Sequence, residues 1–189
     1  MRLLAILLGV TSILSAQKPL AEGNASSSVK VVIWEDLQCP DCAAFRQMMD
    51  KDLLPRFRET VRFEHRDFPL AKHAWARPAA IASRYFETVS PELAVEFRKF
   101  TIAQQEHITA ETFSEHVTAF ARAHKADPAK ATAALRDTAL AALVQRDVDE
   151  GVARGIARTP TVLVNGEPFI ETFPAEDIIK TIQRELAAK

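Results

Sequence analysis

The sequence predicts an α/β fold whose elements run β-α-β, then a block of helices, then a β-hairpin and a closing helix. Three observations carry this order. Val29 to Glu35 is an apolar run that passes directly into apolar residues spaced by three and four. From Ala71 to about Gly155 the apolar spacing is helical throughout. The β-branched run Thr161-Val162-Leu163-Val164 then ends on Asn165-Gly166, a strong hairpin signal.

Taken in order, residues 1–16 read as a secretory signal peptide. Met1-Arg2 is a minimal positive region, Leu3 to Leu14 is apolar, and Leu14-Ser15-Ala16 is a candidate cleavage site before Gln17. An uncleaved membrane anchor is the alternative, although the apolar stretch is short for a bilayer. Residues 17–28, with Lys18-Pro19, Gly23-Asn24 and Ser26-Ser27-Ser28, read as a disordered leader. Val29 to Glu35 suits the centre of a buried sheet. Cys42, Phe45, Met49 and Leu53 then make a helical stripe that faces the core, with Pro40 in the first turn, where its missing N–H is no loss. Val61 to Phe68 is a second strand, in which Val61, Phe63 and His65 alternate with Arg62, Glu64 and Arg66 until Pro69 ends it.

In the helical block, Leu93, Phe97 and Phe100 form one stripe and Phe113, Val117 and Phe120 another, while Leu135, Leu143 and Val148 mark a third, longer helix. Ser90-Pro91-Glu92, Thr109 to Thr112 and Asp127-Pro128 are helix starts, and Gly155 is a stop. A short strand around Pro168 to Glu171 follows the hairpin turn, and Pro174 opens a last helix with Ile178, Ile182 and Leu186 on one face.

A chain of 189 residues, 48% of them hydrophobic, buries a substantial core as one domain with an insertion. The boundaries expected are a sheet domain over 29–72 and 156–189 and a helical insertion over 73–155. The net charge of −1, with both signs mixed, sets up no field for nucleic acid or an anionic membrane surface.

The chain has two cysteines, in the segment Cys39-Pro40-Asp41-Cys42 at the start of the first helix. A helix N-terminus favours negative charge and so favours a thiolate, which is the nucleophile of disulfide exchange. C-x-x-C where a strand runs into a helix therefore reads as a redox motif. As a structural staple the pair would close a loop of four residues, which chain entropy makes worth only about 2 kcal/mol. The stripe through Cys42 turns that residue inward, and Cys39, at the helix start, is expected to be exposed. A four-ligand zinc site would need both cysteines and two distant histidines. His65 and His73 are read instead as satisfied core or surface residues. Trp34 and Trp75 read as packing residues, with Trp34 a candidate for the rim of the site, and Arg146-Asp147-Val148-Asp149-Glu150 as a solvated helix face.

Three segments together resemble the thioredoxin superfamily, and within it the DsbA-like secreted disulfide oxidoreductases. They are Trp34-Glu35-Asp36-Leu37-Gln38-Cys39-Pro40-Asp41-Cys42, then Arg66-Asp67-Phe68-Pro69-Leu70 with His73 and the Ala-rich Ala79 to Ala82, and Gly155-Ile156-Ala157-Arg158-Thr159-Pro160-Thr161-Val162-Leu163-Val164-Asn165-Gly166. The resemblance spans nearly all of residues 29–188 and implies a thioredoxin-like fold with an inserted helical domain. It implies that Cys39 attacks and Cys42 resolves. It implies that Thr159 and Pro160 form an X-cisPro segment facing the disulfide, where an extended substrate peptide pairs with the Thr159 backbone and the Thr159 hydroxyl approaches the Cys39 sulfur. It further implies a periplasmic or otherwise extracytoplasmic protein, with reduced or disulfide-bonded secreted proteins as substrates and a quinone-linked membrane partner as reoxidant. No cofactor, metal or nucleic acid is expected. A monomer is expected, and the lack of a dimerisation domain before the redox domain argues against the V-shaped dimeric isomerases of the superfamily.

The sequence also departs from the family pattern. The most strongly oxidising members have histidine where this chain has Asp41. A carboxylate opposes a thiolate at Cys39 and cannot donate a hydrogen bond to it, so Pro40 and Asp41 are the candidate tuning residues and a weaker oxidant is expected. Many relatives bury an acid at the position of Ile33. Glu35 or Asp36 is the candidate substitute, only one of them facing inward on an alternating strand. The function expected is a secreted thiol–disulfide oxidoreductase working through its CPDC centre as an oxidase. The alternative is a dithiol protein that binds a soft metal such as Cu(I), or a peptide, without redox turnover.

Overall fold

The computed structural model describes residues 18–189, and the signal-peptide reading of residues 1–16 lies outside them. Five strands, β1 (Ala21–Gly23), β2 (Lys30–Glu35), β3 (Arg62–Asp67), β4 (Thr161–Val164) and β5 (Glu167–Ile170), form one mixed sheet in the order β1-β3-β2-β4-β5. β2 is central, parallel to β3 and antiparallel to β4, with Ile33 opposite both His65 and Val162. Asn165 and Gly166, at φ +45° and +101°, make the β4–β5 turn with the two left-handed residues that a type I′ hairpin requires.

One face of the sheet is apolar where α1 (Pro40–Met48) and α8 (Ala175–Ala187) cover it. Val31, Ile33, Phe63, Val162 and Val164 pack there against Phe45, Met49, Ile178 and Ile182. The expected stripe through Cys42, Phe45, Met49 and Leu53 is buried throughout. The helix widens into a π-helical turn over Met49–Leu53 before α2 (Leu54–Phe57). Pro55 brings no N–H for the Lys51 carbonyl and its ring crowds it, and the wider turn relieves both demands.

Five helices lie between β3 and β4 in sequence: α3 (Ala76–Val89), α4 (Pro91–Ala103), α5 (Phe113–Ala123), α6 (Pro128–Ala134) and α7 (Thr138–Ala153). They close around a second core in which the rings of Phe86, Phe97 and Phe120 meet at centroid distances of 4.7, 5.0 and 5.1 Å. Ser90 and Asp127 cap α4 and α6 as their sequence positions predict. The expected third, longer helix is two helices. Asp137 accepts from the N–H groups of Ala139 and Leu140 at 2.8 and 3.1 Å, which starts a new helix after Leu135. α7 comes close to the ends of β2 and β3 where Gly151 has no side chain; a Cβ there would run into the Phe68 ring and the Trp34 indole.

The segment expected to be a disordered leader is ordered from its first described residues. Ala21–Gly23 pair antiparallel with β3, and Leu20, 4% exposed, enters the helical core. The apolar content of this stretch is too low to reveal a strand. Its order comes from an open edge of β3 and from Glu22, which finds buried cationic partners in His65 and Arg46.

Those partners belong to a buried ionic network. Toward the C-terminal ends of β2 and β3 the apolar face becomes charged: Glu35, His65 and Asp67 are 4%, 2% and 1% exposed. Arg98 of α4 donates to Glu35 at 3.1 Å and to Asp67 at 2.7 Å. Arg84 of α3 donates to Asp67 at 2.6 Å and also to Asp147 of α7. His65 sits between Glu35 and Glu22. Asp147, expected on a solvated face, is 2% exposed and also accepts from the Asp67 N–H at 3.1 Å. Arg146 and Asp149 in the same run stay exposed, and a run of charge does not reveal which member turns inward.

Burial alone would raise the Glu35 carboxyl, but the charges of Arg98 and His65 hold it down at about 2. Burial alone would lower His65, but Glu35 and Glu22 raise it above its ordinary value. Glu35 therefore stabilises the fold above its ordinary value of 4.5, and that contribution is lost as pH falls through about 2. His65 contributes fully below its ordinary value of 6.5, and its contribution is lost as pH rises through the raised value. The midpoint of urea unfolding is accordingly expected to be highest between these ordinary values, near pH 4.5 to 6.5, and to fall on both sides. A midpoint that climbs steadily to pH 9, about two and a half units above the ordinary histidine value, would remove the argument for a charged His65.

Candidate active site

β2 ends at Glu35, and a short turn joins it to α1, with the Cys39 N–H bonded to the Asp36 carbonyl at 3.0 Å. Cys39 is the N-cap residue of α1, Pro40 follows it in the first turn, and Asp41 is exposed. Cys42 lies inward at 1% exposure. Both cysteines are free thiols in this structure.

Cys39, expected at the surface, is only 5% exposed. The loop before β4 covers it. Its thiol donates to the Thr159 carbonyl at 3.3 Å, Thr159 and Pro160 are themselves buried, and the peptide bond between them is cis. The cysteine opens instead on a cleft of 420 Å³ whose walls include Asp41, Leu70, Lys72, Arg158 and Glu171. The structure thus brings Cys39, Cys42, Thr159, Pro160, Pro40 and Asp41 together at one place.

The two sulfurs are electrostatically unlike. A hydrogen bond from Cys42 is the largest influence on Cys39. With further help from the Thr159 side chain and from the backbone N–H groups of Cys42 and Asp41, it brings Cys39 from 9.0 down to about 6, against burial, which pushes it up. Burial and the neighbouring Cys39 push Cys42 well above its ordinary value, and the Asp36 N–H, 3.4 Å from the Cys42 sulfur, works the other way. A value of about 6 favours ionisation of the outer sulfur at neutral pH, while the inner one is held to its proton. While the Cys39 thiol donates to the Thr159 carbonyl, the buried Thr159 hydroxyl has no hydrogen-bond partner among the described residues, and it is left free for the ionised sulfur. An anionic Cys39 sulfur would accept from it.

Alternation along the strand allows only one of Glu35 and Asp36 to face inward, yet they are 4% and 1% exposed. The strand stops at Glu35, and the segment from Phe68 to Trp75 covers the side to which Asp36 turns. The Asp36 carboxylate accepts from the N–H groups of Gln38 and Leu70 at 2.7 and 2.8 Å and from His73 Nδ1 at 2.7 Å. Gln38 Oε1 accepts from the Trp75 N–H at 2.8 Å. Gln105, just beyond α4, donates to the carbonyls of Leu37 and Cys39 at 2.8 and 3.1 Å. No sequence signal marks Gln105. Trp34 is not at the rim: it is 1% exposed and packs with Phe68 and Ile156. Among the described residues no group of three or more His, Cys, Asp and Glu side chains is placed to hold a metal ion.

A cysteine of lowered pKa at a helix N-terminus, at the end of the central strand of a mixed sheet and faced by a cis-proline loop, defines a dithiol protein of α/β class. A family model described as Thioredoxin matches residues 15–184, and the chain belongs to that family. Among solved structures it is similar to BdbD from Bacillus subtilis, with 23% identity and a TM-score of 0.81 over 89% of this chain and 93% of that one. It is similar to the thiol-disulfide exchange protein α-DsbA2 from Wolbachia pipientis, with 16% identity and a TM-score of 0.75 over 92% and 89%. DsbA from Chlamydia trachomatis gives 14% identity and a TM-score of 0.77 over 93% and 95%. These likenesses are of fold, and they bear out a DsbA-like arrangement with helices inserted between β3 and β4. By sequence, no curated protein matches.

Thr159→Val keeps the side-chain volume and removes the hydroxyl. The pH at which Cys39 ionises, followed by thiolate ultraviolet absorbance, is expected to rise by about one unit, the size of one hydrogen bond to a charged group. An unmoved midpoint would show that the hydroxyl does not reach the sulfur.

Proposed function

We propose that this protein is an extracytoplasmic thiol–disulfide oxidoreductase that oxidises protein substrates through Cys39 and Cys42. The observation that supports this most directly is the split between the two sulfurs, one brought down to about 6 and the other raised, opposite Thr159 and Pro160. In the oxidised protein a substrate thiolate attacks Cys39 Sγ. The new substrate–Cys39 bond forms as the Cys39–Cys42 bond breaks, and the electron pair moves to Cys42, which takes up a proton. A second substrate thiolate then attacks the substrate sulfur of the mixed disulfide, and Cys39 leaves as a thiolate. The substrate loses two electrons and gains a disulfide, while the protein is left as a dithiol. A quinone-linked membrane partner removes those two electrons and restores the disulfide.

The direction follows from which form is stabilised. A thiolate favoured at neutral pH stabilises the reduced protein, and a protein with a stable reduced form is an oxidant. Thr159 and Pro160 bind the extended substrate chain beside the reacting sulfur, and Pro40 and Asp41 tune Cys39. Persistence of disulfides outside the cytoplasm suits this role. Soft-metal binding by the dithiol is the weaker reading, because Cys42 lies at 1% exposure behind Cys39 and cannot turn outward without disturbing α1.

Two measurements test this. Cys39→Ser is expected to abolish catalysed reduction of insulin disulfides, and equal activity in wild type and variant would overturn the enzyme reading. Asp41→His is expected to lower the Cys39 pKa and raise the reduction potential, read from the equilibrium with glutathione. If neither moves, position 41 does not tune the thiolate.

A further inference from the structure

In either direction of exchange, charge develops on Cys42 in the transition state, as leaving group or as attacking group. Cys42 is 1% exposed, so water does little to stabilise that charge. The Asp36 N–H, 3.4 Å from the Cys42 sulfur, is aimed at it. A preorganised backbone donor aimed where charge appears is worth most in a site that excludes water.

The Asp36 side chain is itself tied on several sides. Its fully buried carboxylate takes donors from three places: Gln38 on the redox turn, Leu70 on the wall of the Cys39 cleft, and His73. The carboxylate only accepts, so Nδ1 of His73 carries the proton between them. The His73 N–H in turn bonds to the Leu70 carbonyl at 3.0 Å and closes the wall segment on itself. The His73 side chain retains 15% exposure and forms the outer edge of this assembly.

Building on the redox reading above, we propose that Asp36 and His73 act as a positioning pair for the exchange reaction, holding the Asp36 N–H on the Cys42 sulfur. The pair acts on Cys42 and not on Cys39, whose stabilising groups are Cys42, Thr159 and the first N–H groups of α1. That selectivity separates the proposal from a merely structural role, which would affect both sulfurs alike.

The experiment uses the full chain with His73→Ala and, as a milder variant, His73→Asn, whose amide N–H can replace Nδ1–H toward Asp36. Alkylation of reduced Cys39 by iodoacetamide reports the outer sulfur. The rate at which Cys42 displaces glutathione from a mixed disulfide on Cys39 reports the inner one. His73→Ala is expected to slow displacement about tenfold, the loss of one hydrogen bond of about 1.4 kcal/mol. Alkylation should stay within about twofold, and His73→Asn should recover most of the lost rate. Displacement that is unchanged, or that falls together with alkylation, would overturn the positioning role, as would a His73→Asn variant as slow as His73→Ala. A wild-type protein that forms no mixed disulfide would instead overturn the redox reading and this proposal with it.

Discussion

At the end of β2 two adjacent carboxylates leave the strand on opposite sides, and both are buried. A buried carboxylate without partners costs several kcal/mol, so the elements that supply partners must be in place for the strand to end as it does. Glu35 requires Arg98 and His65, and through them it ties α4 to the sheet and links β2 to side chains of β3 and β1. Asp36 requires Leu70 and His73, and through them it ties the segment after β3 to the redox turn. The helical layer is therefore docked by charge at the end of the sheet where the cysteines lie and by apolar packing elsewhere. Directional bonds fix an angle more tightly than apolar contact does, which suits the end that must hold two sulfurs and a loop in register.

The unlike sulfurs follow from that placement. α1 starts where Asp36 puts it, so its first N–H groups point at Cys39, and the apolar stripe of the same helix carries Cys42 into the core. Neither effect needs a charged side chain close to Cys39. The covering loop adds Thr159, held through β4, which pairs with the central β2.

Periodicity and capping chemistry made much of this legible. The stripe through Cys42, the Asn165-Gly166 turn and the caps at Ser90 and Asp127 are local signals, each set by residues within a few positions. What stayed hidden depends on distant partners. Cys39 is covered by a residue 120 positions away, so no local pattern predicts its burial. β1 is ordered by an edge and a histidine on β3. Gln105 is an unremarkable loop residue until the fold brings it to the Leu37 and Cys39 carbonyls. Arg98 carried a signal of a kind, a charge on the apolar side of an amphipathic helix, and its meaning became clear only with Glu35 and Asp67 beside it. Thr159 and Pro160 were legible through family resemblance alone.

Asp41 is the residue whose role changes most under a physical reading. Its backbone N–H helps to lower Cys39, whatever side chain it bears. Its carboxylate is exposed at the cleft, where Arg158 is engaged by Glu171 at 2.6 Å and Lys72 lines the same walls. An exposed charge is screened by water and by neighbouring ions, so its opposition to the thiolate is weaker than the C-x-x-C segment alone suggests. Histidine at that position would act less by removing a repulsion than by adding a donor. The redox setting of this site therefore rests mainly on the Cys42 S–H and on N–H and O–H groups that the fold holds in place, and the dipeptide between the cysteines adjusts a thiolate that the end of β2 has already made.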